Sequence, residues 1–347
     1  MRPLARGIWS IAFALFSFPL TSTAAGEPAT KAGQNATTNN LPRRTVAQFE
    51  AGTWIENIAV RSNGNLLLTS LMPNASLYEV SNPTSETASV TRLFTIEDAS
   101  GLLGISEIST DVFAVAGGNV GSSGGVKGSM RVWTVDFSSS ASPQPTLAMT
   151  ISDAILLNGM TTVPNKEKVV LISDSAKGVV WKADIGANKS EIAMQVPEMG
   201  SQNQKEPIGV NGIHIRDGNL TWLNHDTFKM FTMQITEEGL QAPEAKAAEI
   251  ASFPVTALDD FIFGPAEQAT AWVTTNSDNR VFALGASKKS VVVAGATNSP
   301  DVATATACQF GRSEKDEKIL YVTTGGDDIQ GKHGGKVEAL DTTSFRG

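Results

Sequence analysis

Asn158-Gly159-Met160 ahead of Val169-Val170-Leu171-Ile172-Ser173-Asp174, and Asn211-Gly212-Ile213 ahead of Leu220-Thr221-Trp222-Leu223-Asn224, are two copies of one phrase. Each has a polar start residue, a short apolar strand and then a second strand. A third copy runs from Glu56-Asn57-Ile58-Ala59-Val60 into Gly64-Asn65-Leu66-Leu67-Leu68-Thr69. Asp259-Asp260-Phe261-Ile262 before Ala271-Trp272-Val273-Thr274-Thr275 fits the same template, as does Thr306-Ala307-Cys308-Gln309-Phe310 before Ile319-Leu320-Tyr321-Val322-Thr323-Thr324. A weaker copy starts near Gly104. With Glu56, Gly104, Asn158, Asn211, Asp259 and Thr306 as equivalent points, the spacings are 48, 54, 53, 48 and 47 residues. A strand-rich repeat of about fifty residues has the length of a four-stranded propeller blade. The expected fold is therefore all-β, a single six-bladed β-propeller over residues 43–347.

The N-terminus reads as a targeting segment. Arg2 and Arg6 precede an apolar run from Ile8 to Phe18, and small residues close it at Ser22-Thr23-Ala24-Ala25. The run is well short of the roughly 20 apolar residues that span a bilayer, so residues 1–24 are expected to be a secretory signal peptide rather than an anchor. Residues 25–42, poor in large apolar side chains at their start, are expected to form a flexible leader. Acceptor sequons at Asn35, Asn74, Asn188 and Asn219 suit a secreted or secretory-lumen glycoprotein. One cysteine, Cys308, excludes an intramolecular disulfide, and its apolar strand context points to a buried, inert thiol. Without Arg2 and Arg6 the chain keeps 25 basic against 35 acidic side chains, a net charge of −10. That surface repels phosphate, and no basic stripe interleaved with aromatics offsets it, so nucleic acid is not an expected partner. Nor is a membrane; a monomer or weak dimer acting on small apolar substrates is expected.

In a propeller the inner strands start at one end of a central channel, so their start residues converge on one pocket. Glu56, Asn158, Asn211, Asp259 and Thr306 are accordingly expected there. The loops between second and third strands return to the same face, which brings Asp174, His225 and Asn276 to the rim together with the glycine-rich loop from Gly117 to Gly128. Trp54, just before the first start point, is placed either to stack on an unsaturated ligand or to pack within its blade.

The phrases Glu56-Asn57-Ile58-Ala59-Val60-Arg61, Leu157-Asn158-Gly159-Met160, Val210-Asn211-Gly212-Ile213, Leu258-Asp259-Asp260-Phe261 and Phe310-Gly311-Arg312 resemble, in order and spacing, the SMP-30/gluconolactonase/strictosidine-synthase-like superfamily of six-bladed propellers. The resemblance covers nearly the whole chain after the targeting segment. It implies a divalent cation, Ca or Mg, held in the channel by Glu56, Asn211 and Asp259, all hard oxygen donors. There are departures. Sugar lactonases of that superfamily present Arg-x-Asn-Asp-Gly on the third blade, whereas this chain has Leu156-Leu157-Asn158-Gly159. A guanidinium that grips hydroxylated substrates is exchanged for an apolar wall.

The run of phrases is most similar in look to secreted fungal propellers of natural-product pathways. Some of these are hetero-Diels–Alderases that join a tropolone quinone methide to a humulene-type terpene. That likeness implies a pericyclase requiring no cofactor, with Asn158, Asn211, His225 and Glu56 as catalytic groups and Trp54, Leu156, Asp174, Asn276 and Thr306 around the substrates. A metal-dependent lactonase is the alternative, favoured by the retained Glu56, Asn211 and Asp259.

Overall fold

A computed structural model describes residues 38–121, 124–140, 143–203, 207–265, 269–326 and 332–346. The strands form six antiparallel four-stranded sheets. Blade 1 comprises Trp54–Val60, Leu66–Met72, Ser76–Ser81 and Ser89–Thr95. Blade 2 comprises Gly101–Ser109, Val112–Gly118, Arg131–Asp136 and Thr146–Thr150; blade 3 comprises Leu157–Thr162, Val169–Asp174, Val179–Asp184 and Lys189–Met194. Blade 4 is Val210–Arg216, Asn219–Asn224, Lys229–Gln234 and Ala248–Ser252, and blade 5 is Phe261–Phe263, Ala271–Thr274, Arg280–Leu284 and Ser290–Gly295. Blade 6 takes Ala305–Phe310, Ile319–Thr324 and Lys336–Asp341 from the C-terminal end and its outermost strand, Arg43–Gln48, from the N-terminal end. Among the described residues, helix is limited to one 3-10 turn, Pro197–Met199, and no helix is long and apolar enough to cross a membrane.

Both faces of each blade are covered by its neighbours, which is why the second strands read as unbroken apolar runs such as Leu66-Leu67-Leu68, each fully buried. Successive side chains of a strand go to opposite faces, and the apolar residues sort into six clusters, one between each pair of adjacent blades. The last of these joins Ala307, Tyr321 and Val337 of blade 6, with Val46 and Ala47 of its N-terminal strand, to Ile55, Ile58 and Leu66 of blade 1. It closes the ring.

The expected flexible leader is shorter than 25–42. Thr38 bridges to Val292, the Asn39 amide donates to the Val292 carbonyl at 2.8 Å, and the Leu41 amide donates to the Val293 carbonyl at 2.9 Å. Leu41 is buried in the cluster between blades 5 and 6. A single apolar side chain and an otherwise unpaired outer strand explain why residues 38–42 belong to the propeller. The expected signal peptide, the rest of the leader and Asn35 lie outside the described residues.

Five of the six inner strands depart from their ladders at the start; that of blade 5 pairs regularly from Phe261. The irregularity falls between Ile55 and Asn57, Leu102 and Ile105, Leu157 and Met160, Val210 and Ile213, and Ala305 and Cys308. These bulges carry the polar start residues, and they shift one sequence assignment. Gly104 stands level with Gly159 and Gly212, so the start residue of blade 2 is Leu103. Gly104 is needed for a different reason: a Cβ there would lie 2.2 Å from the Asn158 carbonyl of the next blade.

The backbone released at each bulge is held by the neighbouring blade. Thr69 donates its hydroxyl to Leu103 O at 2.6 Å, Ser173 to Asn211 O at 2.7 Å and Thr274 to Thr306 O at 2.8 Å. Thr306 donates to Ile55 O at 2.7 Å and lies 2.9 Å from the Thr323 hydroxyl. Thr306, expected beside the substrates, is therefore a fully enclosed bridge between the last blade and the first. Thr306→Val removes that hydroxyl and leaves the buried Ile55 carbonyl unpaired, so a loss of about 1–3 kcal/mol is expected in the denaturation midpoint with an unchanged transition slope. An unaltered midpoint counts against the bridge.

Candidate active site

The starts of the inner strands of blades 1, 4 and 5 deliver Glu56, Asn211 and Asp259 to one end of the channel, all of them buried. Asn211 donates its amide N–H to Asp259 Oδ1 at 3.0 Å, and Asn276 donates to Asp259 Oδ2 at 2.6 Å. Asn276 reaches inward from a left-handed backbone conformation (φ 46°), one that asparagine tolerates. Glu56 accepts the indole N–H of Trp54 at 2.5 Å.

Burial pushes the Glu56 carboxyl up to about 7; the Trp54 hydrogen bond opposes the shift and the Asp260 charge adds to it. Asp259 is raised well above the ordinary carboxylate range, first by burial and then by the charge of Glu56, against the hydrogen bonds of Asn276 and Asn211. Both carboxyls are pushed upward, and as close neighbours they share their titration.

A hard cation requires several oxygens aimed at one point. Here both Asp259 oxygens face amide N–H groups and Glu56 faces an indole N–H. The residues expected to bind Ca or Mg are joined to one another and to their neighbours by hydrogen bonds from amides and an indole.

Asn158 differs from its counterpart Asn211. It is buried at the blade 3 bulge, and its side-chain amide has no hydrogen-bond partner among the described residues. Leu156 precedes it. Leu156 is buried yet belongs to none of the apolar clusters between blades, as is Leu103 at the corresponding place in blade 2. The two supply apolar wall beside a free carboxamide.

Asp174, expected at the rim, is fully buried, and it accepts from the Ile155, Leu156 and Lys177 amides and from the Trp181 indole. Every lone pair it could offer a substrate is engaged, so its role is to set the course of the chain into Leu156. The glycine-rich loop forms a small hairpin pairing Val120–Gly121 with Gly124–Gly125. Gly125 lies so close to Ile155 that a Cβ would come within 1.9 Å of its carbonyl oxygen.

His225, expected at the rim as a catalytic group, has one ring nitrogen engaged. Its Nδ1 lies 2.8 Å from the Leu258 carbonyl, and a carbonyl only accepts, so Nδ1 carries the proton. Burial pulls its pKa down, although Asp226 and the Leu258 carbonyl oppose the shift. The neutral ring therefore presents Nε2 as an acceptor. Cys308 is the inert thiol expected: it is buried, it donates to the Trp272 carbonyl at 3.4 Å, and burial raises its pKa well above the usual range.

The sequence reading missed the residues deeper in the channel. Asn57 reaches across from blade 1 to Asp260 of blade 5 at 3.3 Å. Beyond this pair lies a cavity of about 370 Å³ that carries Thr161, His214, Gln309 and Arg312. None of the expected site residues lines it. Its walls combine these polar groups with Ile58, Ile105, Phe113, Met160 and Phe310.

Folded Glu56 titrates above its unfolded value of 4.5, so the native chain loses stability as pH rises from about 4.5 through 7. Glu56→Gln keeps the acceptor for Trp54 and has no charge to bury. It is expected to unfold like the native chain near pH 4.5 and to exceed it by about 2–3 kcal/mol at pH 8. Parallel denaturation curves at both pH values would show that the carboxyl is not desolvated.

No family model matches the chain. The chain is 32% identical over 333 residues to a protein of Phoma sp named "Putative hetero-Diels-Alderase", an alignment covering 89% of this chain and 94% of that one. It is 30% identical over 345 residues to "Putative hetero-Diels-Alderase asR5" of Sarocladium schorii, covering 90% and 86%. Among solved structures, regucalcin of Agrobacterium tumefaciens, a calcium-binding protein, superposes with a TM-score of 0.61 at 13% identity, over 88% of this chain and 97% of that one. A gluconolactonase of Xanthomonas campestris gives 0.59 at 12%, over 90% and 93%. These structures share the propeller. Identity to two curated relatives along nine-tenths of its length shows that the chain belongs to the hetero-Diels-Alderase family.

Proposed function

We propose that this protein is a pericyclase that unites a tropolone-type quinone methide with a humulene-type terpene by an intermolecular hetero-Diels–Alder cycloaddition. The observation that carries this reading is the identity to two proteins named as hetero-Diels-Alderases. In the step, the O=C–C=C heterodiene and one alkene form a C–O and a C–C σ bond, and one new C=C remains. No proton or electron leaves, and no cofactor is required.

The chain's task is then to orient two partners and to favour the heterodiene oxygen as its electron density rises. The Asn158 N–H groups are donors for that oxygen, with one N–H of Asn211 engaged by Asp259. His225 Nε2 on the adjacent blade is an acceptor for the hydroxyl that a tropolone ring carries beside its carbonyl. Leu156 and Leu103 provide apolar surface for the terpene. Secretion and N-glycosylation are part of the proposal, supported by residues 1–25 and by the exposed positions of Asn74 and Asn188. Asn219 is half-buried and donates its amide to Asp217 O at 2.9 Å.

The test supplies a quinone-methide precursor with a humulene-type alkene and follows rate and enantiomeric excess against a control without protein. Product formed faster and in enantiomeric excess is expected. Asn158→Leu should reduce transition-state stabilisation by about 2–4 kcal/mol, and Leu156→Arg should slow the reaction by placing a charge in the apolar wall. Racemic product at the background rate, with lactone hydrolysis dependent on added metal, identifies a lactonase instead. In parallel, secreted material is expected to begin near Ala25; recovery of Met1 by N-terminal sequencing removes the signal peptide from the reading.

A further inference from the structure

Trp54 is held on two sides. Its indole N–H donates to Glu56 at 2.5 Å. Its ring lies against Gly325 of blade 6, where a Cβ would come 2.6, 2.8 and 2.8 Å from the bonded ring atoms Cδ2, Cε2 and Cε3. Three adjacent ring atoms at nearly equal distance place Gly325 over the face of the indole rather than beside its edge.

Gly325 directly follows the second strand of its blade, as His225 and Ser175 do in theirs. Its amide donates to Thr304 O at 2.7 Å, matching His225 to Gly209 O and Ser175 to Leu156 O, both at 2.9 Å. At the place where blade 4 sets an imidazole, blade 6 has no side chain, and the indole fills the room. Trp133, Trp181, Trp222 and Trp272 are buried, whereas Trp54 keeps partial exposure. With one face on Gly325 and the N–H on Glu56, the opposite face and the benzo edge are left to carry that exposure. The face stands beside Glu56 at the channel end, and a rigid indole is a stacking surface for a flat conjugated ring.

We propose that Gly325 is a positioning residue: it seats Trp54 so that the free face of the indole receives the flat conjugated partner and sets which face of that partner reacts. The assignment rests on the cycloaddition reading for its substrate, but the surface is tested apart from turnover. Tropolone is titrated against the full chain, and the tryptophan emission is compared with that of Trp54→Phe. Saturable quenching that depends on Trp54 is expected.

Gly325→Ala forces the indole off its seat and should weaken tropolone binding about three- to tenfold. It should lower enantiomeric excess more than it lowers kcat. In the Trp54→Phe background the same change should have little effect on binding, because the displaced group is gone. A merely structural glycine would instead weaken both backgrounds equally, and that result overturns the proposal, as does quenching that survives Trp54→Phe. If Gly325→Ala does not fold, Trp54→Leu alone decides: retained tropolone affinity overturns the surface, and loss supports it. Trp54-dependent quenching without any acceleration of the cycloaddition supports the stacking surface and removes the proposed reaction.

Discussion

Every part of this molecule depends on the bulge with which an inner strand begins. A regular ladder would pair each start residue with the second strand and turn its side chain into a blade interface. The bulge frees the side chain for the channel, and it frees backbone groups that cannot remain unpaired once buried. Hydroxyls of the preceding blade take them up: Thr69, Ser173, Thr274 and Thr306 each reach the next blade. Between blades 4 and 5 the Gly212 amide donates to Asp259 O at 2.9 Å. Between blades 2 and 3 the lack of a side chain at Gly104 admits the Asn158 carbonyl. Satisfying the backbone therefore ties each blade to the next, and the same feature builds both ring and site.

Gathering the start residues on one axis has an electrostatic consequence. Glu56, Asp259 and Asp260 approach each other in a desolvated setting, which raises the Glu56 and Asp259 carboxyls, and amide and indole donors oppose the shift. Asn211 and Asn276 are consumed in this way. Asn158 is not, because the corresponding positions around it are Leu103 and an Asn already turned toward Asp259. One free carboxamide in an apolar corner is a sparse apparatus, and it suits a concerted cycloaddition, in which no proton is transferred and orientation supplies most of the rate. The propeller gives that orientation rigidity, since the groups sit on strands packed on both faces.

Blade number, blade length and five of the six start residues were legible in the sequence, because apolar strands recur with a polar residue ahead of them and a glycine or turn behind. Gly104 was assigned one residue late. The bulge of blade 2 matches those of blades 3, 4 and 6, but its channel-facing residue is a leucine, which looks like strand. Asp174 and Thr306 were legible as polar residues in the right place and misread in role, because a side chain that satisfies backbone and one that awaits a substrate have the same letter.

The sequence by itself determined what local chemistry dictates: strand periodicity, a six-fold repeat, acidic surface, one inert cysteine and the set of side chains able to reach the channel. The tertiary structure decided everything that depends on partners distant in the chain. Arg43–Gln48 completes the sheet of Lys336–Asp341, Asn57 meets Asp260 across the axis, Leu258 fixes the tautomer of His225, and Gly325 seats Trp54. Pattern along a strand specifies which face a residue occupies. Which neighbour then takes its hydrogen bond is set only when six blades close, since closure alone brings those groups within 3 Å or so of one another.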